Sequence, residues 1–152
     1  MVVIQLSPCY PKGTTIEQQI EKLEEEWMEI VEADNWENLV SEYFDVAQVS
    51  VGIAGLNGIR KIVVNLNEIK EMIQEQNNGW ANLYERFCTL HDVVMITGCS
   101  KRAIELAKMA LCCCYDMICE CEEDESKRVK LLEEFLLKHN EKLESRIKEW
   151  TS

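Results

Sequence analysis

The stretch ENLVSEYFDVAQVSVGIAG, residues 37–55, restricts the fold more than any other part of the chain. At about 100° per residue, Leu39, Val46, Val49 and Ile53 fall on one side of a helix, and Val40, Phe44 and Val51 fall on a second side. A helix that is apolar on two sides has to be surrounded, so the segment predicts an interior helix of an all-α bundle. Glu42 lies within the first apolar arc and Asp45 borders it. An ionised carboxylate in that position costs several kcal/mol unless a basic partner, a proton or a metal ion compensates it.

The flanking sequence reads as helix almost throughout, and no strand is assigned. TTIEQQIEKLEEEWMEIVEA has Thr14 three residues before Glu17, a capping-box spacing, and repeats apolar residues at Ile16, Ile20, Leu23, Trp27 and Ile30. DNWEN breaks the pattern, and the second helix is expected from about Glu37 to Gly55, where GLNG supplies a stop. NEIKEMIQEQNNG predicts a third, polar helix ending at Asn78 and Gly79. WANLYERFCTLHDVVMITG starts as a helix and is ambiguous after His91, because Val93, Val94 and Ile96 are β-branched. SKRAIELAKMALCCCYDMICE is a strongly apolar helix with Ser100 as its candidate cap. After a polar EEDES, SKRVKLLEEFLLKHNEKLESRIKEW forms a long terminal helix. A chain of 152 residues with 6 Gly, 2 Pro and no internal repeat or low-complexity linker is expected to form one domain, residues 1–152.

Composition narrows the function classes. No run approaches the roughly 20 apolar residues that span a bilayer, and MVVIQLSPCYPKG lacks the basic and apolar regions of a secretory leader, so a soluble, cytoplasmic protein is expected, away from membranes. Of the 8 cysteines, Cys112, Cys113 and Cys114 are adjacent and point to different sides of a helix, which suits reduced thiols serving as small apolar residues. Cys119 and Cys121 form a CxC whose sulfurs splay about 200° apart on a helix, poorly suited to a shared zinc. With 28 acids against 16 bases the net charge is −12, which disfavours direct binding to nucleic acid. A phosphate-bearing ligand would have to arrive with cations.

The acids fall into a pattern. Glu26 is on the shoulder of the first helix's apolar stripe, with Glu29 and Glu25 farther round. Glu26 and Glu29 are three residues apart, as are Glu42 and Asp45, so each pair projects from one side of its helix. A short DNWEN connection lets the two helices run antiparallel and bring the pairs together. Four converging carboxylates repel strongly, and oxygen-preferring divalent cations, Mg²⁺ or alternatively Mn²⁺, relieve that repulsion. A ferritin-like diiron site needs ExxH pairs, but Cys88 and Leu136 stand three residues before His91 and His139, so that element is absent.

The series KLEEEWMEIVEA followed by ENLVSEYFDVAQ resembles the MazG-type all-α nucleoside triphosphate pyrophosphohydrolases, whose hallmark is ExxE, a short gap and ExxD. Here these are Glu26 and Glu29, then Glu42 and Asp45. HNEKLESRIKEW also resembles the family's terminal N-x-K-F-x-x-R-F segment, with Asn140, Lys142 and Arg146 at the polar positions. The resemblance covers about residues 15–56 and 126–150. It departs where the Gly of the family's ELGD wording is lost to Tyr43 and Phe44, where Leu143 and Ile147 replace aromatics, and in the longer middle of residues 57–125.

The resemblance implies Mg²⁺-dependent cleavage of a (d)NTP between its α- and β-phosphates, giving (d)NMP and pyrophosphate. Glu26, Glu29, Glu42 and Asp45 would be the metal ligands, Glu25 or Glu26 the base that orients water, and Asn140, Lys142 and Arg146 the substrate contacts. It also implies a bundle built around the two antiparallel acidic helices and completed by oligomerisation. The apolar load of MALCCCYDMI and of the terminal helix likewise suggests a homodimer or dimer of dimers. On the last helix Leu132, Leu136, Leu143 and Trp150 define the buried side, with His139 and Arg146 within it and Asn140 on its edge. Arg146 there is either ligand-facing or the partner of one site acid. By position alone, Lys142 and Lys22 are surface lysines. Trp27 and Trp150 read as core or interface residues, and Trp36 and Trp80 as helix-start staples. The alternative function is that of a non-catalytic, acidic helical interaction protein, which accounts for the surface charge but not for Glu42.

Overall fold

The computed structural model describes residues 2–79 and 82–151, so Trp80 lies outside the described residues. The elements in chain order are β1 (Val3–Leu6), α1 (Ile16–Glu32), α2 (Trp36–Gly55), β2 (Ile62–Asn65), α3 (Leu66–Asn77), α4 (Leu83–Thr97), α5 (Ser100–Cys121) and α6 (Glu125–Thr151). The architecture is all-α apart from one short two-stranded ribbon. No helix among the described residues is long and apolar enough to cross a membrane.

The two apolar arcs of α2 are both used. Every residue from Tyr43 to Ala54 is buried, including Asp45, Gln48 and Ser50. Ser50 satisfies its hydroxyl within the helix by donating to the Val46 carbonyl at 2.7 Å. The most extensive partner of α2 is α5, itself surrounded, while α1 flanks α2 on the acidic side. The adjacent cysteines of α5 show how it is enclosed: the Cys112 thiol points to the Ile69 carbonyl of α3 at 3.9 Å, and the Cys114 thiol to the Val40 carbonyl of α2 at 3.6 Å. All eight cysteines are free thiols. Residues Met109 to Tyr115 and Ile118 are buried within this one chain, so the apolar load of α5 requires no second subunit.

Several helix ends differ from expectation by a residue or more. The capping box of α1 uses Thr15 and Gln18, one position beyond Thr14 and Glu17. Asn35 caps α2, and Trp36 is its first residue, set edge-on to Phe135 of α6 with centroids 6.0 Å apart. Ser100 is the first residue of α5, and its N-cap is Cys99, which makes no side-chain cap bond. α4 stays helical through Thr97 despite its β-branched residues. Their helix penalty is only a few tenths of a kcal/mol each, and burial of His91 and Val94 outweighs it. Gly98, at φ 60°, ends this helix in the left-handed conformation.

The ribbon was not expected, although its alternation was visible. β1 and β2 pair antiparallel, with Ile4 opposite Val64 and Leu6 opposite Ile62. These four residues face the core, while Val3 and Val63 face outward. Runs of four residues are too short to announce themselves against strong helical periodicity. The ribbon starts a strap, residues 7–15, that crosses α2 on its way to α1. Gln48 of α2 donates from Nε2 to the Ser7 carbonyl at 2.7 Å. Gly55 makes room for the strap, since a Cβ there would run into the Pro8 ring. At Gly52 a Cβ would lie 2.5 Å from Gln19 Oε1.

Replacing Gly55 by Ala should therefore destabilise the protein by about 1–3 kcal/mol through overpacking against Pro8, despite the better helix propensity of Ala. Chemical denaturation of the variant checks this, and a gain in stability would show that the strap does not hold the position described.

Candidate metal centre

Ala33 to Asn35 turn the chain between α1 and α2, so the helices run antiparallel and Glu29 comes opposite Glu42 while Glu26 comes opposite Asp45. One carboxylate oxygen from each of these four residues lies within 4.8 Å of the others. Glu26 and Asp45 are almost fully buried, at 1% and 3% exposure, Glu42 is half-buried and Glu29 exposed. The four residues expected from spacing alone are brought together.

The cluster meets its own repulsion partly with cations and partly with protons. Lys142 Nζ is 2.7 Å from Asp45 Oδ2, and Lys22 Nζ is 3.2 Å from Glu26 Oε1. Burial works against the charge on Asp45, but neighbouring groups, Lys142 at Oδ2 among them, outweigh it and hold the carboxyl below its ordinary range. Burial pushes Glu42 up to about 8 and Glu26 up to about 7, with contact to Glu29 and the charge of Asp45 adding to each. Glu29 is lowered because it accepts hydrogen bonds from Glu42 and Glu26. Glu42 and Glu26 thus favour protonation, which would offset charge that a divalent cation could otherwise balance.

No N–H or hydroxyl donor reaches Glu26 Oε2, Glu42 Oε2 or Asp45 Oδ1. Buried acceptors without donors, all of them oxygen, form the donor set of a hard divalent cation such as Mg²⁺ or Mn²⁺. These residues fit such an ion.

The other expected site residues divide. Glu25 stays outside the cluster, 66% exposed, with its carboxylate 3.2 Å from Lys22 Nζ. Lys142 is not the free surface lysine that its place on the helical wheel suggested, because α6 crosses the end of the site and delivers it to Asp45. Arg146 does not neutralise a cluster acid; it lines an adjoining cleft. Asn140 faces away from the cluster, exposed in a groove beside Val3 and Leu136, and is not brought to the centre. Trp27 is a packing residue, stacked on His91 with centroids 3.8 Å apart.

The cleft measures about 560 Å³ and shares Asp45 and Lys22 with the acidic cluster. Lys12, Lys22 and Arg146 supply positive charge, while Tyr10, Leu143 and Trp150 supply aromatic and apolar surface. Tyr10 and Lys12 were missed in the sequence because the strap has no periodicity to assign it to a face. Trp150, read as core or interface, is 39% exposed at the cleft.

The pKa directions set the pH dependence. Glu42 and Glu26 are raised above their ordinary 4.5, so below that pH both states of the chain are protonated and the contribution of these residues to stability is complete. As pH rises, the unfolded chain releases these protons first, and the metal-free protein should lose stability up to about pH 8. Glu29 and Asp45, lowered, act with opposite sign and at lower pH, outside that window. In EDTA at pH 8 and above, Glu42→Gln should be at least as stable as wild type. Mg²⁺ at about 100 times its Kd should add roughly 2.7 kcal/mol to wild type and less to the variant. Thermal melts between pH 5 and 9 check this, and a large loss for Glu42→Gln in EDTA would mean that Glu42 has a structural cationic partner.

Comparison with protein families, with characterised proteins and with solved structures returned no match for this chain.

Proposed function

We propose that the chain is an Mg²⁺-dependent nucleoside triphosphate pyrophosphohydrolase of the MazG type, converting (d)NTP to (d)NMP and pyrophosphate. The observation that carries this reading is the convergence of Glu26, Glu29, Glu42 and Asp45 at the edge of a cleft that also presents Lys12, Lys22 and Arg146. An acidic protein otherwise repels a triphosphate. The ordered ExxE and ExxD wording supports the same assignment.

The four carboxylates would hold Mg²⁺, or alternatively Mn²⁺, and when bound the ion would supply charge neutralisation at the phosphates and acidify a water for in-line attack. Arg146, Lys12 and Lys22 bind the polyphosphate from the cleft wall, with the planar guanidinium suited to two phosphate oxygens at once. Lys142 keeps Asp45 ionised and oriented, and its half-exposed ammonium has further donors for substrate. Water attacks the α-phosphorus, the bond to the bridging oxygen breaks, and pyrophosphate leaves. Glu25, outside the cluster but sharing Lys22 with Glu26, takes the water's proton. Tyr10, Leu143 and Trp150 offer the surface against which a base rests. No contact is assigned to Asn140, which lines a separate groove with Val3 and Leu136.

A homodimer or dimer of dimers is part of the same proposal. Its support is the apolar surface left uncovered at Val3, Val63, Leu137 and Ile147, on the ribbon and α6. Sedimentation equilibrium at micromolar concentration should give a dimer or larger, and monomer alone overturns it.

A panel of nucleotides with Mg²⁺ should release pyrophosphate and monophosphate, not diphosphate and inorganic phosphate. Glu42→Gln and Asp45→Asn should lose at least ~10³-fold in kcat/KM, the scale of several kcal/mol of transition-state charge stabilisation. Arg146→Ala should raise KM roughly 10-fold. Glu25→Gln should lower kcat ~10²-fold while leaving Mg²⁺ affinity unchanged. A protein that only docks a partner through its acidic surface would show no Mg²⁺-dependent binding of a non-hydrolysable nucleotide by calorimetry.

A further inference from the structure

His139 of α6 is 4% exposed and packs on α2 beside the carboxylate cluster, its ring stacked on Phe44 with centroids 5.5 Å apart. The hydrogen-bond polarity around it is fixed from outside. Ser7 contributes a carbonyl, which only accepts, so the Gln48 atom 2.7 Å away is the amide nitrogen. The other end of that amide, Oε1, therefore faces His139 Nε2 at 3.2 Å, and an oxygen acceptor requires the hydrogen to be on Nε2. The neutral ring then carries its lone pair at Nδ1. That nitrogen has no hydrogen-bond partner, and it lies 3.5 Å from Asp45 Oδ1, which has none either. Lys142 occupies the other Asp45 oxygen. The Asp45 oxygen left open to a cation and a buried imidazole lone pair are thus neighbours.

We propose that His139 Nδ1 is a nitrogen ligand of the metal centre beside Asp45 Oδ1, with Gln48 and Ser7 fixing the tautomer and orientation of the ring. The proposal rests on reading the four carboxylates as a metal centre. Neighbouring ligands of one octahedral ion at about 2.0–2.2 Å stand roughly 2.8–3.1 Å apart, so the 3.5 Å between His139 Nδ1 and Asp45 Oδ1 would close by a few tenths of an ångström on binding. A ligating histidine ordinarily donates its other N–H to a protein acceptor, which Gln48 Oε1 is here. His139 lies on the Asp45 side of the cluster, so the ion it binds is held toward Asp45. A mixed nitrogen and oxygen set favours Mn²⁺ over Mg²⁺, because imidazole suits transition metals and Mg²⁺ prefers oxygen alone.

The test uses Mn²⁺ alone as probe. Pulsed electron paramagnetic resonance of the wild-type protein with one equivalent of Mn²⁺ should show nitrogen hyperfine coupling from one imidazole. The chain has only two histidines, so assignment is direct: the coupling should persist in His91→Gln and vanish in His139→Gln with Mn²⁺ still bound. Titration should show His139→Gln losing at least ~10-fold in Mn²⁺ affinity and less in Mg²⁺ affinity. The wild-type spectrum is decisive even if a variant fails to fold. Bound Mn²⁺ without nitrogen coupling, or coupling retained in His139→Gln, overturns the ligand assignment and leaves the carboxylate centre standing. Failure of Mn²⁺ to bind at all overturns both.

Discussion

Mutual repulsion among four carboxylates governs the organisation of this protein. Packing α1 antiparallel on α2 buries apolar surface, but the same packing forces Glu26, Glu29, Glu42 and Asp45 together. The unliganded chain accommodates them with two raised acids, a lysine from the same helix and a lysine from the far end of the sequence. Each device is partial. The buried oxygens still without donors mark the charge that remains uncompensated, and a group that binds only the native state would relieve it.

The polar network around Asp45 links parts of the chain that are far apart in sequence. Ser7 in the strap, Gln48 in α2 and His139 in α6 form one hydrogen-bonded line that ends at the imidazole, 3.5 Å from Asp45. A buried glutamine is costly unless both ends of its amide are used, and here both are. The strap that this line anchors is also a wall of the cleft, and it reaches that place because Gly55 lets it pass close over α2, while Gly52 makes room for Gln19 of α1. The fold therefore fixes the cleft and the carboxylates relative to each other through the same few residues.

Much of this was legible beforehand because helical periodicity is a local property. The six helices, the two-sided burial of α2 and the pairing of ExxE with ExxD all follow from residues within a few turns of one another. Helix ends were read less well, since Thr14 and Thr15 are equally able to cap and packing selects between them. The ribbon was lost for a related reason: β1 and β2 are stabilised by a partner more than fifty residues away, which no window along the chain contains.

The sequence by itself determined the all-α class, the inner position of α2 and the four acids that meet, because side-chain spacing on a helix is set by backbone geometry. Only the tertiary structure decided which groups answer those acids. Lys142 reaches Asp45, Arg146 turns to the cleft, Asn140 faces elsewhere, and His139 comes up beside Asp45. These outcomes depend on where α6 crosses α2. That crossing is fixed by the packing of Leu132 and its neighbours against the rest of the core, a property of shapes brought together in space that no residue carries alone.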